Sequence, residues 1–401
     1  MNPRPKSIAR RITLLVLAFA AFGCGSDKTV SPPGTSGTLN VLGEGIVAER
    51  YTAEIYVRGN YAYTTTWGFR DAPGNAVKIW DVSGNTPALV DSVIVPGAST
   101  LGDIQTSDDG QLLIVATELS PGSIAIYSLA NPVKPQLVSR YSTALTNPGV
   151  HTAEVERVNG KLYAFLCIDP ASGTPARLVI VDLSDPAAPQ QIFTAAMGSP
   201  YVHDVYVRDG ILFTALWNQG ITIWDIGGGG SGGSVSNPVA LGSVVTAGGK
   251  AHNVWWYHEA ATGHKRFAFV GEEGPGSIGA SSSGDIHVVD VSNLASPREV
   301  AFYHLDGAGT HNFSVDETRG ILYAAYYNGG VRAIDVAGDL SSCAAAERSG
   351  DGRCNLAAMG RELAHGPVGH GPVYVWGVQL LGGQVYASDM LNGIWELDAA
   401  P

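Results

Sequence analysis

Short apolar runs recur along the chain, and most of them close on an aspartate. VKIWD ends at Asp81, LVIVD at Asp182, ITIWD at Asp225, IHVVD at Asp290 and VRAID at Asp335, with weaker copies in IAIYS at Ser128 and GIWE at Glu396. Two further strand-like runs precede each copy and are joined by a tight turn. In one unit Val205-Tyr206-Val207 leads through Arg208-Asp209-Gly210 into Ile211 to Trp217, and comparable turns fall at Gly59-Asn60, Asp109-Gly110, Asn159-Gly160, Arg319-Gly320 and Gly382-Gly383. These dipeptides supply the positive φ angles that two-residue hairpin turns need. A proline-marked loop and a fourth run follow, as in Asp185-Pro186-Ala187-Ala188-Pro189 before Gln191 to Ala195 and Ala295-Ser296-Pro297 before Glu299 to Tyr303. Four strands per unit at a period of about 50 residues are the signature of propeller blades.

The last copy stops after three strands. The missing outer strand is available at the other end of the chain, where Leu39 to Ala48 stands as outer strands do elsewhere. Pairing the two would close the ring and hide two sheet edges. The expected fold is therefore all-β, a single seven-bladed β-propeller over residues 39–401 with an N-terminal strand completing the last blade; six and eight are the alternative counts. Blade six departs from the pattern. Its outer strand is expected to give way to an insert, Ala337 to Pro372, whose Asn355 to Ala364 stretch reads as a short helix. Gly227 to Gly233 reads as a floppy insertion and lacks the Gly-Lys-Ser/Thr ending of a phosphate-binding loop.

The first residues carry a different pattern. Arg4, Lys6, Arg10 and Arg11 precede an uncharged, mostly apolar stretch, Ile12 to Phe22, too short for a stable bilayer span but suited to a signal peptide. Residues 1–23 are read as that signal. Gly23-Cys24 resembles a lipobox, which makes Cys24 the expected lipidation site and residues 24–38, rich in Ser, Gly and Pro, a flexible tether. The protein is then expected to be exported and membrane-anchored, at the outer membrane, cell surface or periplasm, and monomeric. Cysteine usage fits an oxidising compartment: Cys343 and Cys354 share one polar loop and are candidates to pair, while Cys167 lies in an apolar strand as a small hydrophobe. The net charge of −12 argues against a nucleic-acid partner.

With LVIVD standing at Leu178 to Asp182 and its variants spread along the chain, the sequence resembles the LVIVD-repeat family of bacterial surface and periplasmic proteins. The resemblance implies a propeller, commonly on a lipid anchor, and implies no particular activity. The motif itself is structural: its apolar residues fill the space between blades and its aspartate binds turn backbone.

The chemistry-bearing positions are the starts of the inner strands. Three units begin with histidine, at His203-Asp204, His252-Asn253 and His311-Asn312, and the others align Glu54, Asp103, Glu154 and Gly377, with His151 three residues before Glu154. Inner strands surround one channel, so these side chains should form a ring at one end of it. Imidazole with carboxylate is a ligand set for a divalent metal, the one cofactor the sequence suggests. Second strands return to the same end carrying Trp67, Glu118, Trp217, Glu272-Glu273, Tyr327 and Asp389. His258, His264, His287 and His304 fall outside the ring, whereas His365 and His370 could reach over the mouth from the insert.

Three functions follow as expectations. One is a binding or interaction module for a protein or glycan, with Trp67, Trp217 and Trp255 as exposed stacking surfaces. Another is a metal-dependent hydrolase or oxidase in which Glu54, Glu154 or Asp204 is the base. The third is a structural or adhesive scaffold, in which the histidines only staple blade to blade.

Overall fold

The computed structural model describes residues 36–401. The signal peptide, Cys24 and most of the tether lie outside the described residues. Seven antiparallel sheets follow one another along the chain. In the first six blades the innermost strands are Tyr51–Arg58, Thr100–Thr106, Val150–Val158, Asp204–Arg208, Ala251–Trp256 and Phe313–Asp316. In the seventh, Val375–Leu381 is innermost, and Val41–Ile46 completes the sheet from the N-terminal side by pairing with Gly393–Asp398. The fold is a seven-bladed β-propeller.

One apolar cluster fills each seam between neighbouring blades. Ile114, Val155, Leu166 and Val179 pack between blades two and three. Ile55, Trp80, Tyr386 and Ile394 pack between blades seven and one. The motif residues are the middle of these layers, since third strands such as Arg177–Asp182 are buried throughout their apolar stretch. The motif aspartates lie just past that layer and turn back on the chain. Asp81, Asp182, Asp225, Asp290 and Asp335 each accept a hydrogen bond from the backbone N–H two residues on, at 2.8–3.1 Å. Asp225 also accepts from Gly229, Ser231 and Gly233, and this holds its carboxyl down at about 2 although burial opposes ionisation. The glycine-rich run is thus wrapped on a carboxylate rather than loose.

Blade six keeps its outer strand. Glu362–Gly366 pairs with Val331–Asp335 from inside the insert, so the expected replacement of that strand does not occur. Nor does Asn355 to Ala364 form a helix. Cys354–Asn355 instead adds a short parallel strand to the edge of blade five, and the one helix among the described residues is a single 3-10 turn, Ala345–Glu347. Burial explains the choice: Cys354 and Leu356 are buried in the seam between blades five and six, which a surface helix would leave unfilled. Cys343 and Cys354 are joined by a disulfide that fastens this flap. The tether is shorter than expected, because Gly37–Thr38 pairs in parallel with Ala364 and His365 on the edge of blade six. His365 meets Ser36 Oγ there at 2.9 Å, and His370 lies 5.3 Å from the Trp395 ring, so neither is a ligand at the histidine ring.

The last repeat ends two residues later than its sequence suggests. Asp398 pairs with the first residue of the second strand, Gln384, as Asp335 does with Ile321, and it accepts from the Asn40 backbone N–H at 2.6 Å. Glu396 is buried, and neither of its oxygens has a hydrogen-bond partner. Burial raises its carboxyl to about 7. The folded protein holds that proton to higher pH than the unfolded chain, so stability is full below about pH 4.5 and falls as pH rises through 7. Glu396→Gln should flatten this decline, and at pH 8 should raise stability by about 2–3 kcal/mol in a denaturant titration.

Candidate functional site

At the starts of the inner strands the ladder is irregular. Register shifts fall between Thr52 and Ile55, Leu101 and Ile104, Val150 and Thr152, Ala251 and Val254, and Val375 and Val378. In blades four and six the histidine lies just ahead of the strand, with His203 and His311 N–H donating to Ala215 and Ala325 carbonyls. A bulge sets two successive side chains on one side of a strand. Each affected blade can therefore present two neighbouring residues to the channel, and two layers result. His151, His203, His252, His311 and Trp376 form the outer layer; Glu54, Asp103, Glu154, Asp204, Asn253 and Asn312 form the layer beneath. All of them line one cavity of about 590 Å³.

The outer layer is a row of rings tilted against one another. His203 and His252 centroids are 4.2 Å apart, as are those of His252 and His311, and His311 lies 4.3 Å from Trp376. Trp217 stacks on the other side of His203 at 5.2 Å. The Trp376 carbonyl, which can only accept, takes the Nδ1 proton of His311 at 2.7 Å and leaves Nε2 with a lone pair. His151 Nε2 and His203 Nε2 are 2.9 Å apart and share one proton. Glu273 Oε2 lies 3.4 Å from His203 Nε2, and Tyr327 donates its hydroxyl to the other Glu273 oxygen.

Charge is unequally divided among the four histidines. Burial lowers His203 and His311 well below their usual value and brings His252 to about 3, with neighbouring imidazoles adding to the effect. These three are neutral at pH 7. His151 is the opposite case. Burial opposes its charge too, but Glu118 at 3.8 Å and Asp169 at 3.5 Å outweigh it and raise it to about 10. Glu118, buried and held by Trp67 Nε1 at 2.8 Å, is raised to about 7 by burial.

His252 stands out from its neighbours. It is 2% exposed, and neither ring nitrogen has a hydrogen-bond partner. One nitrogen of His252, one of His203 and one Glu273 oxygen lie within 4.8 Å of one another, the arrangement among the described residues that could hold a metal ion. A tetrahedral ion bonded at about 2.0–2.1 Å needs ligand atoms roughly 3.3 Å apart. The His203–Glu273 pair already meets that spacing at 3.4 Å, and a His252 nitrogen lies within 4.8 Å of both.

The rim differs from expectation at several points. Glu273, not Glu272, faces the site; Glu272 turns back into blade five, 3.5 Å from buried His287 Nε2. Asp389 is fully buried and structural, accepting from Trp395 Nε1 and the backbone of Tyr374 and Leu391. Trp67, Trp217 and Trp255 are half-buried, not exposed platforms. Asp169 escaped sequence reading because it follows its strand, Lys161–Ile168, by one residue. The signal was its place one residue past a second strand, as Glu273 is past Phe267–Glu272.

Among solved structures, the crystal structure of Saccharomyces cerevisiae Sqt1 is similar at a TM-score of 0.56 and 10% sequence identity, over 90% of this chain and 86% of that one, a likeness of fold alone. No curated protein matches the chain. The LVIVD repeat model matches residues 49–69, the first two strands of blade one, and 174–196 and 280–304, the third and fourth strands of blades three and five; the chain is a seven-bladed β-propeller carrying LVIVD repeats.

Proposed function

We propose that this propeller is a binding module whose site is the histidine end of its channel, where His203, His252 and Glu273 hold a divalent transition-metal ion. One observation carries the reading: His252 is buried with both ring nitrogens unpartnered, beside two further potential ligands. A buried polar atom left without a partner costs about 1–3 kcal/mol, so a blade staple should be bonded. Two neutral imidazoles and a carboxylate suit zinc and its neighbours. Metal binding would displace the proton that His151 shares with His203 Nε2, and His151, held by Glu118 and Asp169, would stand beside the ion as a positioning group.

Elemental analysis of purified protein tests this. Near-stoichiometric zinc or copper is expected, falling at least tenfold in His203→Ala/His252→Ala. Wild-type protein that holds no metal after dialysis against micromolar zinc, with a variant that is merely less stable, would make the histidines staples.

A metal-dependent enzyme is the second reading, favoured by Glu118, whose raised value near 7 suits a general base. It requires turnover of activated esters or phosphoesters by zinc-loaded protein, lost in Glu118→Gln while metal is retained. Export and anchoring through Cys24 are part of the proposal and rest on the residues before the propeller; Cys24→Ser should abolish labelling by a fatty-acid analogue. A protein partner for the same face is supported by Phe69, Leu119, Val245 and Val368, exposed apolar residues on loops at that end.

A further inference from the structure

The layer beneath the histidines has a charge pattern that the metal ion does not use. Glu54, Asp103, Glu154 and Asp204 come from four successive blades and face one cavity. Their hydrogen-bond partners are neutral. Asp103 accepts from the backbone of Ile104 and Ala153, Asp204 from that of Val205, Glu154 from the Gln105 amide and Glu54 from the Asn312 amide. Arg208 is the one Lys or Arg among the described lining residues, and both of its terminal nitrogens are taken by Glu317. The charge of His151 is matched by Glu118 and Asp169. Acids enclosed in this way either keep their protons or ionise against a cation, and a bound cation draws them to the ionised form.

A bare metal ion does not meet that need. Among the described residues the acids of this layer form no group close enough to share one ion; the group that does is the histidine one above. The acids instead surround a space the size of a small-molecule site. Tyr56, Tyr206 and Trp255 line its deeper part and offer aromatic faces, which attract organic cations. Asn253, buried in the same layer and lining the same cavity, has an Oδ1 without a hydrogen-bond partner, and this marks the layer, apart from the histidines, as built around something not made of protein.

We propose that the channel binds an organic cation, a primary amine or diamine, with its ammonium group among Glu54, Asp103, Glu154 and Asp204 and the rest of the molecule directed toward the histidine layer. This rests on reading the channel as a ligand site, but not on a metal being bound. In the complete module the amine would be the ligand presented to the ion.

Calorimetric titration with 1,4-diaminobutane, with 1,4-butanediol as the uncharged counterpart, tests it on EDTA-treated and on zinc-loaded protein. The diamine should bind and the diol should not. The affinity should fall as NaCl is raised and should drop at least tenfold in Glu154→Gln/Asp204→Asn, which preserves size and the Val205 contact. If that double variant does not fold, Glu154→Gln alone should still weaken binding severalfold. No diamine binding to either form of the protein, equal binding of the diol, or a folded variant that binds as wild type does would overturn the proposal. Zinc content measured on the same samples reports separately on the metal reading: diamine binding without zinc sinks only the metal, and zinc without diamine binding sinks only the amine.

Discussion

Removing residues 36–47 should leave a chain that no longer folds as a monomeric propeller. Val41–Ile46 supplies the outer strand of blade seven, with Val41 opposite Leu397 and Ile46 opposite Gly393. Without it the strand Gly393–Asp398 becomes an exposed edge, a template for pairing between chains. Leu39 is buried in the seam between blades six and seven, and Val47 in that between seven and one. Burying two such side chains contributes about 3–6 kcal/mol, against a typical net stability of about 5–15 kcal/mol. The lost backbone pairing adds to that. Oligomers or aggregates on gel filtration, with loss of a cooperative thermal transition, are the expected result. A point substitution makes the same case without a truncation. A Cβ on Gly45 would sit 2.5 Å from the Trp80 ring, a fully buried group, so Gly45→Val should destabilise by about 1–3 kcal/mol or more. A truncated protein with a wild-type transition would show that blade seven is stable with three strands.

The closing strand was legible because the pattern that identifies it is simple: an apolar run before the first blade and a missing run after the last. The seam residues were legible for the same reason, since most third strands are buried on both faces and read as a nearly continuous apolar run. Three features resisted, each with a physical cause. In blade six the outer strand comes after the disulfide-fastened flap, so the strand at Glu362–Gly366 is far from its expected place in the period. At the last repeat, IWE resembles IWD locally, but hydrogen-bond register makes Asp398 the counterpart of the other motif aspartates. At the rim, Glu272 and Glu273 are adjacent in sequence and point to opposite sides of the sheet. Which of them faces the channel depends on register at the end of the strand, which apolar alternation does not reveal.

The ring positions were legible to a finer degree because they recur at equivalent points of successive blades. Sequence alone left open why a histidine and the acid or amide after it should both face the channel. In blade five a bulge answers that, and in blades four and six the histidine precedes the strand and so escapes its alternation. These two arrangements also explain why both layers line one cavity, histidines above and carboxylates below, instead of alternating between channel and seam. Burial acts on the two layers in opposite directions of pKa and with one result: it favours the neutral form of the imidazoles by lowering them and of the acids by raising them, so the acid layer ionises fully only beside a cation.

His252→Leu measures the cost of that arrangement and tests the metal reading at once. Burial holds His252 at about 3 in the folded protein, against about 6.5 in the unfolded chain. Its contribution to stability is therefore complete above pH 6.5 and is lost as pH falls toward 3, at about 1.4 kcal/mol per pH unit. The four carboxylates beneath it pull the other way, because Glu54, Asp103, Glu154 and Asp204 are raised by burial and hold their protons as the solution turns acid. The wild-type profile is thus a difference of opposed terms, and the histidine is read in the gap between wild type and variant. With EDTA present, His252→Leu should gain on wild type by about 2 kcal/mol between pH 7 and pH 5 in urea titrations. With zinc present at pH 7.5 the order should reverse, since an ion bound to the folded state alone at a hundredfold excess over its Kd stabilises by about 2.7 kcal/mol, and the variant lacks a ligand. A variant that tracks wild type at every pH would mean that His252 is not buried as described. A variant that gains in acid but is indifferent to zinc would keep the buried neutral ring and remove the ion.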